Sequence, residues 1–75
     1  MKTNYIITQK TNDKEQTIIN FNNYEDALIF LQELIKRFHS DANKLDLTRN
    51  QAKVETEIGI EITYNIKEER NEKNI

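Results

Sequence analysis

The stretch from Val54 to Ile66, Val-Glu-Thr-Glu-Ile-Gly-Ile-Glu-Ile-Thr-Tyr-Asn-Ile, decides the fold class. Its even positions carry Val54, Thr56, Ile58, Ile60, Ile62, Tyr64 and Ile66, and its odd positions carry Glu55, Glu57, Gly59, Glu61, Thr63 and Asn65. Residues two apart lie about 200° apart around a helix, so a helix scatters this pattern, whereas a strand sorts it into one apolar and one acidic face. The β-branched side chains and Tyr64 also suit a pleated, half-buried surface. The whole stretch therefore reads as one long strand. At about 3.3 Å per residue it spans roughly 43 Å, about twice the length of a 15-residue helix. An irregularity is expected near Gly59, because glycine inside a strand often marks a bulge or bend.

Working outward, residues 3–9 and 15–21 are β-branched and aromatic runs separated by Thr11-Asn12-Asp13-Lys14. They read as a hairpin. Pairing Ile7 with Ile19 and Tyr5 with Phe21 puts four large side chains on one face, and leaves Ile6 and Ile18 on the other. The turn chemistry is weak, because no glycine supplies a positive φ.

Residues 22–38 follow with helical spacing. Tyr24, Ala27, Leu28, Leu31, Leu34, Ile35 and Phe38 fall on one stripe, with Phe30 at its edge. Asn22 or Asn23 serves as N-cap, Asn22 and Glu25 having capping-box spacing, while Glu25 and Asp26 begin the helix and Lys36 and Arg37 end it. Ile29 alone breaks the pattern, sitting among polar neighbours. Asn43 is suited to a left-handed cap after the helix. Residues 44–48 read as a short strand, with a short helix over 42–52 as the alternative. The domain is taken as residues 1–66, and the charged segment 67–75, which has no apolar period, as a fraying tail.

Assembled, the pieces predict a small two-layer α+β domain. An antiparallel sheet of three to four strands packs one face on one main helix, in the order β-β-α-β or β-β-α-β-β.

Composition removes several function classes. The chain has 75 residues, no cysteine and one histidine, so it supplies neither a disulfide framework nor a thiolate metal site, and no metal or cofactor is expected. Gly59 is the only glycine, which leaves no phosphate-cradling loop. His39, just after the helix, suits a favourable interaction of its cation with the helix dipole better than acid–base chemistry. No enzyme activity is expected. A net charge of −2 argues against bulk attraction to nucleic acid or membrane surfaces. No signal-peptide core or membrane span is legible, which suggests a cytoplasmic protein.

The remaining candidates are surfaces. Glu55, Glu57 and Glu61 are expected in a row on the outer sheet face with Ile6 and Ile18, and Ile29 marks the outer side of the helix. These residues suggest a non-enzymatic module that binds a protein partner. Richness in Asn, Ile and Lys adds the association with phage or mobile-element inhibitors of host or defence proteins. The alternative is a dimeric nucleic-acid-binding regulator using the basic residues Lys36, Arg37, Lys44, Arg49 and Lys53. So small a core without staples also favours a homodimer or a partner-dependent fold.

Overall fold

The computed structural model describes residues 2–71. It contains β1 (Lys2–Thr11), β2 (Lys14–Phe21), α1 (Tyr24–Phe38), β3 (Lys44–Leu47), β4 (Gln51–Glu55) and β5 (Glu61–Asn71). The strands form one antiparallel sheet in the order β2-β1-β5-β4-β3. The two-layer α+β architecture is as expected, but with five strands rather than three to four. The helix lies across β1, β2 and β5, so the β4–β3 end of the sheet extends past it.

The first hairpin forms with Tyr5 opposite Phe21 and Ile7 opposite Ile19, in the register the side-chain pattern requires. Asn12 and Asp13 supply positive φ angles of 52° and 67°, so this pair makes the tight turn without glycine. The ladder then slips between Ile7 and Thr8, because Thr8 faces Thr17 and leaves Ile18 without a partner. Such a bulge twists an edge strand and blunts it against further pairing.

Asn23 is the N-cap of α1, its side chain accepting a 2.8 Å hydrogen bond from the Glu25 backbone N–H. The helix ends at His39, whose backbone N–H still reaches the Ile35 carbonyl. Asn43 is not left-handed: its side-chain amide instead donates to the Thr56 and Glu57 carbonyls at 3.1 and 3.3 Å, tying the post-helix loop to the β4–β5 turn. Beyond it, β3 confirms the short-strand reading of this region over the helical one.

The unbroken strand over 54–66 is overturned. The chain reverses over residues 56–60, where the Thr56 N–H donates to the Ile60 carbonyl and the Gly59 N–H to the Thr56 carbonyl, both at 2.9 Å. Gly59 has φ +85°, which L side chains rarely adopt. Two strands, β4 and β5, therefore stand where one was expected. At the other end, β5 continues through residues 67–71, which pair with Lys2–Ile6 of β1. That part of the expected fraying tail is strand, and residues 72–75 lie outside the described residues.

The core is the contact between the helix and the inner sheet face. Ile7, Ala27, Leu31, Ile35, Ala52, Val54, Tyr64 and Ile66 are buried, drawn from α1, β1, β4 and β5. At about 25 cal/mol per Å² of apolar surface, each large side chain buried here stabilises the fold by roughly 1.5–3 kcal/mol. Phe38 departs from its expected place in the helix stripe and is 75% exposed, at the end of α1.

Candidate functional site

Among the described residues, no layer covers the outer face of the sheet. Strand registers put Asn4, Ile6, Thr8 and Lys10 of β1 on it, beside Glu69, Lys67, Asn65 and Thr63 of β5. Gln51, Lys53 and Glu55 of β4 and Lys44 and Asp46 of β3 complete the far side. Glu55 and Glu61 are direct cross-strand partners. The odd residues thus face outward as the alternation required, although on two strands. Glu57 does not join them, because it sits exposed in the turn.

Two carboxylates directly opposite one another repel, at a cost of a few tenths to 1 kcal/mol. Neither makes an ion pair among the described residues, whose two pairs are Lys67–Glu15 at 2.8 Å and Arg70–Glu68 at 2.9 Å. The outer face near Glu55 is indented. A shallow depression of about 700 Å³ is walled by Lys44, Glu55 and Glu61 on one side and by Asp46, Lys53 and Thr63 on the other. Lysines thus share this face with the carboxylates. The surface is a charge-mixed grid, which replaces the purely acidic row expected from one strand.

Ile6 lies half-buried on the outer face beside Lys67, and Ile18 is the bulged residue, 38% exposed. Lys67 reaches over β1 to Glu15, and this hydrogen-bonded ammonium holds the Glu15 carboxyl below its ordinary value. The same face holds Thr8, only 5% exposed.

Ile29, 57% exposed, is not isolated. It borders a groove of about 460 Å³ between α1 and the β2 edge, with Phe21, Phe30, Leu34 and Phe38 as its apolar lining and Asp26, Glu33 and Arg37 on its rim. Sequence periodicity missed this groove because it assigned Phe38 and Leu34 to the core. The available signal was Ile29 next to Phe30, which broadens the apolar stripe toward one flank. A second notch, about 340 Å³, lies between Phe38 and the β4–β5 turn, where Ile58 is 81% exposed.

The basic residues do not form one surface. Lys36 and Arg37 are on the helix, whereas Lys44 and Lys53 are on the outer sheet face. Arg49 stacks over the Tyr24 ring at 5.8 Å. No group of three or more potential metal ligands occurs among the described residues, nor does a helix long and apolar enough to cross a membrane.

His39 Nε2 and the Tyr64 hydroxyl are 2.8 Å apart. Burial lowers the pKa of His39 from its ordinary 6.5 and raises that of Tyr64 from 10.0. Desolvation disfavours the imidazolium. The folded state therefore binds this proton less readily than the unfolded chain. The stability His39 contributes is present above pH 6.5 and is lost as pH falls through the lower folded value. Denaturant midpoints should fall between pH 7.5 and about 5, and His39→Gln should flatten that slope. An unchanged slope in the variant would rule out this origin.

Comparison with protein-family models, curated proteins and solved structures found no match.

Proposed function

We propose that this chain is a non-enzymatic binding protein that occupies a surface of a larger protein through its open sheet face. The observation that carries this reading is the Glu55–Glu61 pair on a five-stranded sheet whose outer face no described residue covers. Glu55 has Lys44 opposite on one side and Glu61 on the other, so the two carboxylates share one cation, and a basic side chain of a partner placed between them would turn their mutual repulsion into attraction. Lys44, Lys53 and Asp46 around the same depression would select a partner surface of matching charge pattern. A blocking role follows naturally, of the sort played by phage and mobile-element inhibitors of host or defence proteins. The lack of cysteine suits the reducing cytoplasm. The basic residues lie on different layers, which argues against the nucleic-acid regulator.

The test uses Glu55→Gln with Glu61→Gln. The double variant should be as stable as wild type or a few tenths of a kcal/mol more stable. Capture of a partner from a low-GC bacterial lysate should be lost, and the wild-type interaction should weaken as salt rises, since exposed charges are screened within about 10 Å at 0.1 M. A folded double variant that retains its partner at wild-type affinity would exclude this face.

A further inference from the structure

The groove beside α1 is rimmed in a defined order. Asp26, Phe30, Glu33 and Arg37 fall within about 60° of one another around the helix. Asp26 and Arg37 are placed almost symmetrically about the middle of the Tyr24–Phe38 helix, with opposite charges at its two ends. Neither makes an ion pair among the described residues.

We infer that this helix flank docks against the same flank of a second copy of the chain, with the two α1 helices antiparallel about a two-fold axis. A two-fold interface must be self-complementary: if residue i meets residue j, then j meets i. Antiparallel pairing centred on the helix puts Asp26 of each copy beside Arg37 of the other, forming two ion pairs at once. Phe30 then meets Glu33 of the second copy, and the two Ile29 side chains lie on the same side of the dyad. Parallel alignment would put like charges together. The order of charges thus selects a copy of this chain in one orientation. The contact also removes from water Ile29, the one large apolar residue on the helix's polar side.

One helix flank about 22 Å long makes an interface at the small end of the specific range, below about 1,200 Å². The two Glu33 carboxylates lie on either side of the dyad and oppose association. A micromolar dimer is therefore expected, with both sheet faces directed away from the contact. This inference is independent of the role proposed for Glu55 and Glu61, which lie on the opposite layer.

Sedimentation equilibrium on the full chain tests it, with far-UV circular dichroism confirming that each variant folds. Wild type should dimerise at tens of micromolar. Asp26→Arg and Arg37→Asp should each weaken the homodimer by about tenfold or more, about 1.4 kcal/mol per tenfold. An equimolar mixture of these two variants should associate again, because both ion pairs are re-formed with reversed charges. Ile29→Asp should weaken the dimer without being rescued by either. A wild-type monomer throughout this concentration range would overturn the inference. So would folded variants that dimerise as wild type does, or charge variants that fail to associate when mixed.

Discussion

Leu31→Ala should lower the unfolding free energy by about 3 kcal/mol, within the 2–5 kcal/mol typical of buried leucines. Leu31 is 1% exposed and sits at the middle of α1, where the helix meets the inner sheet face. Its neighbours along the stripe, Ala27 and Ile35, are also buried, and β1, β4 and β5 add Ile7, Val54 and Tyr64 to the same buried cluster. Ala27 and Ala52, buried in the same cluster, offer no side chain that can swing in to fill the cavity. A domain of this length holds only about 4–11 kcal/mol in total, so the loss would leave a substantial unfolded fraction at physiological temperature. Urea titration checks it: the midpoint should fall by about 2 M or more at a slope near 1–1.5 kcal/mol per M. Ile29→Ala is the matched control. It removes a similar side chain from a 57% exposed site on the same helix and should cost less than about 0.5 kcal/mol in dilute monomer. Equal losses at the two positions would show that the helix does not pack by this stripe.

The helix and the first hairpin were legible because each buries one face, and burial leaves its period in the sequence. Ile7 with Ile19 and Tyr5 with Phe21 set a register that only one pairing satisfies. The β4–β5 turn was hidden for a physical reason. Its five residues, 56–60, set Glu55 opposite Glu61 and Val54 opposite Ile62, so partners across the turn share parity. Even residues point inward on both strands, and the alternation passes through the reversal without a change of phase. Ile58 and Ile60 continue the apolar series although Ile58 is 81% exposed at the turn. Only Gly59 betrays the reversal, through a positive φ that other residues resist. The length mismatch with the helix located the irregularity correctly and mistook its kind.

The same parity explains what was legible of the candidate surfaces. Glu55 and Glu61 share the outer face whether the chain runs straight or turns back, so their grouping survived the correction. Glu57 fell out because it occupies the turn itself. Lys44 and Lys53 were grouped with the helix's basic residues instead of with Lys67, since the three lysines of that face come from three strands whose order the sequence does not encode. Ile29 stood out as an exception to the helical stripe, but its groove needed Phe21 from another element and the exposed end of α1 at Phe38.

Ending the chain at Ile66 should destabilise the fold by roughly 3–5 kcal/mol, comparable with the loss of Leu31. Residues 67–71 look dispensable by composition, because Lys67, Glu68, Glu69 and Arg70 are all exposed. Their contribution is carried by the backbone. They pair with Lys2–Ile6, and each net hydrogen bond of such a ladder is worth about 0.5–1.5 kcal/mol. Backbone pairing leaves no hydrophobic period, which is why the strand read as a tail. Truncation also removes the Lys67 ammonium from Glu15 and uncovers the outer side of Ile6. Lys2–Asn4, which have no partner on β2, would then be left unpaired, while Tyr5 and Ile6 would keep only β2, opening an edge prone to pairing with other chains. A chain ending at Asn71 keeps the whole β1–β5 ladder and separates this effect from loss of the last four residues. Thermal melts of the two truncations should differ by about 12 °C or more, at 4–8 °C per kcal/mol for a domain of this size. Coincident melts would mean that the strand beyond Ile66 adds nothing to the fold.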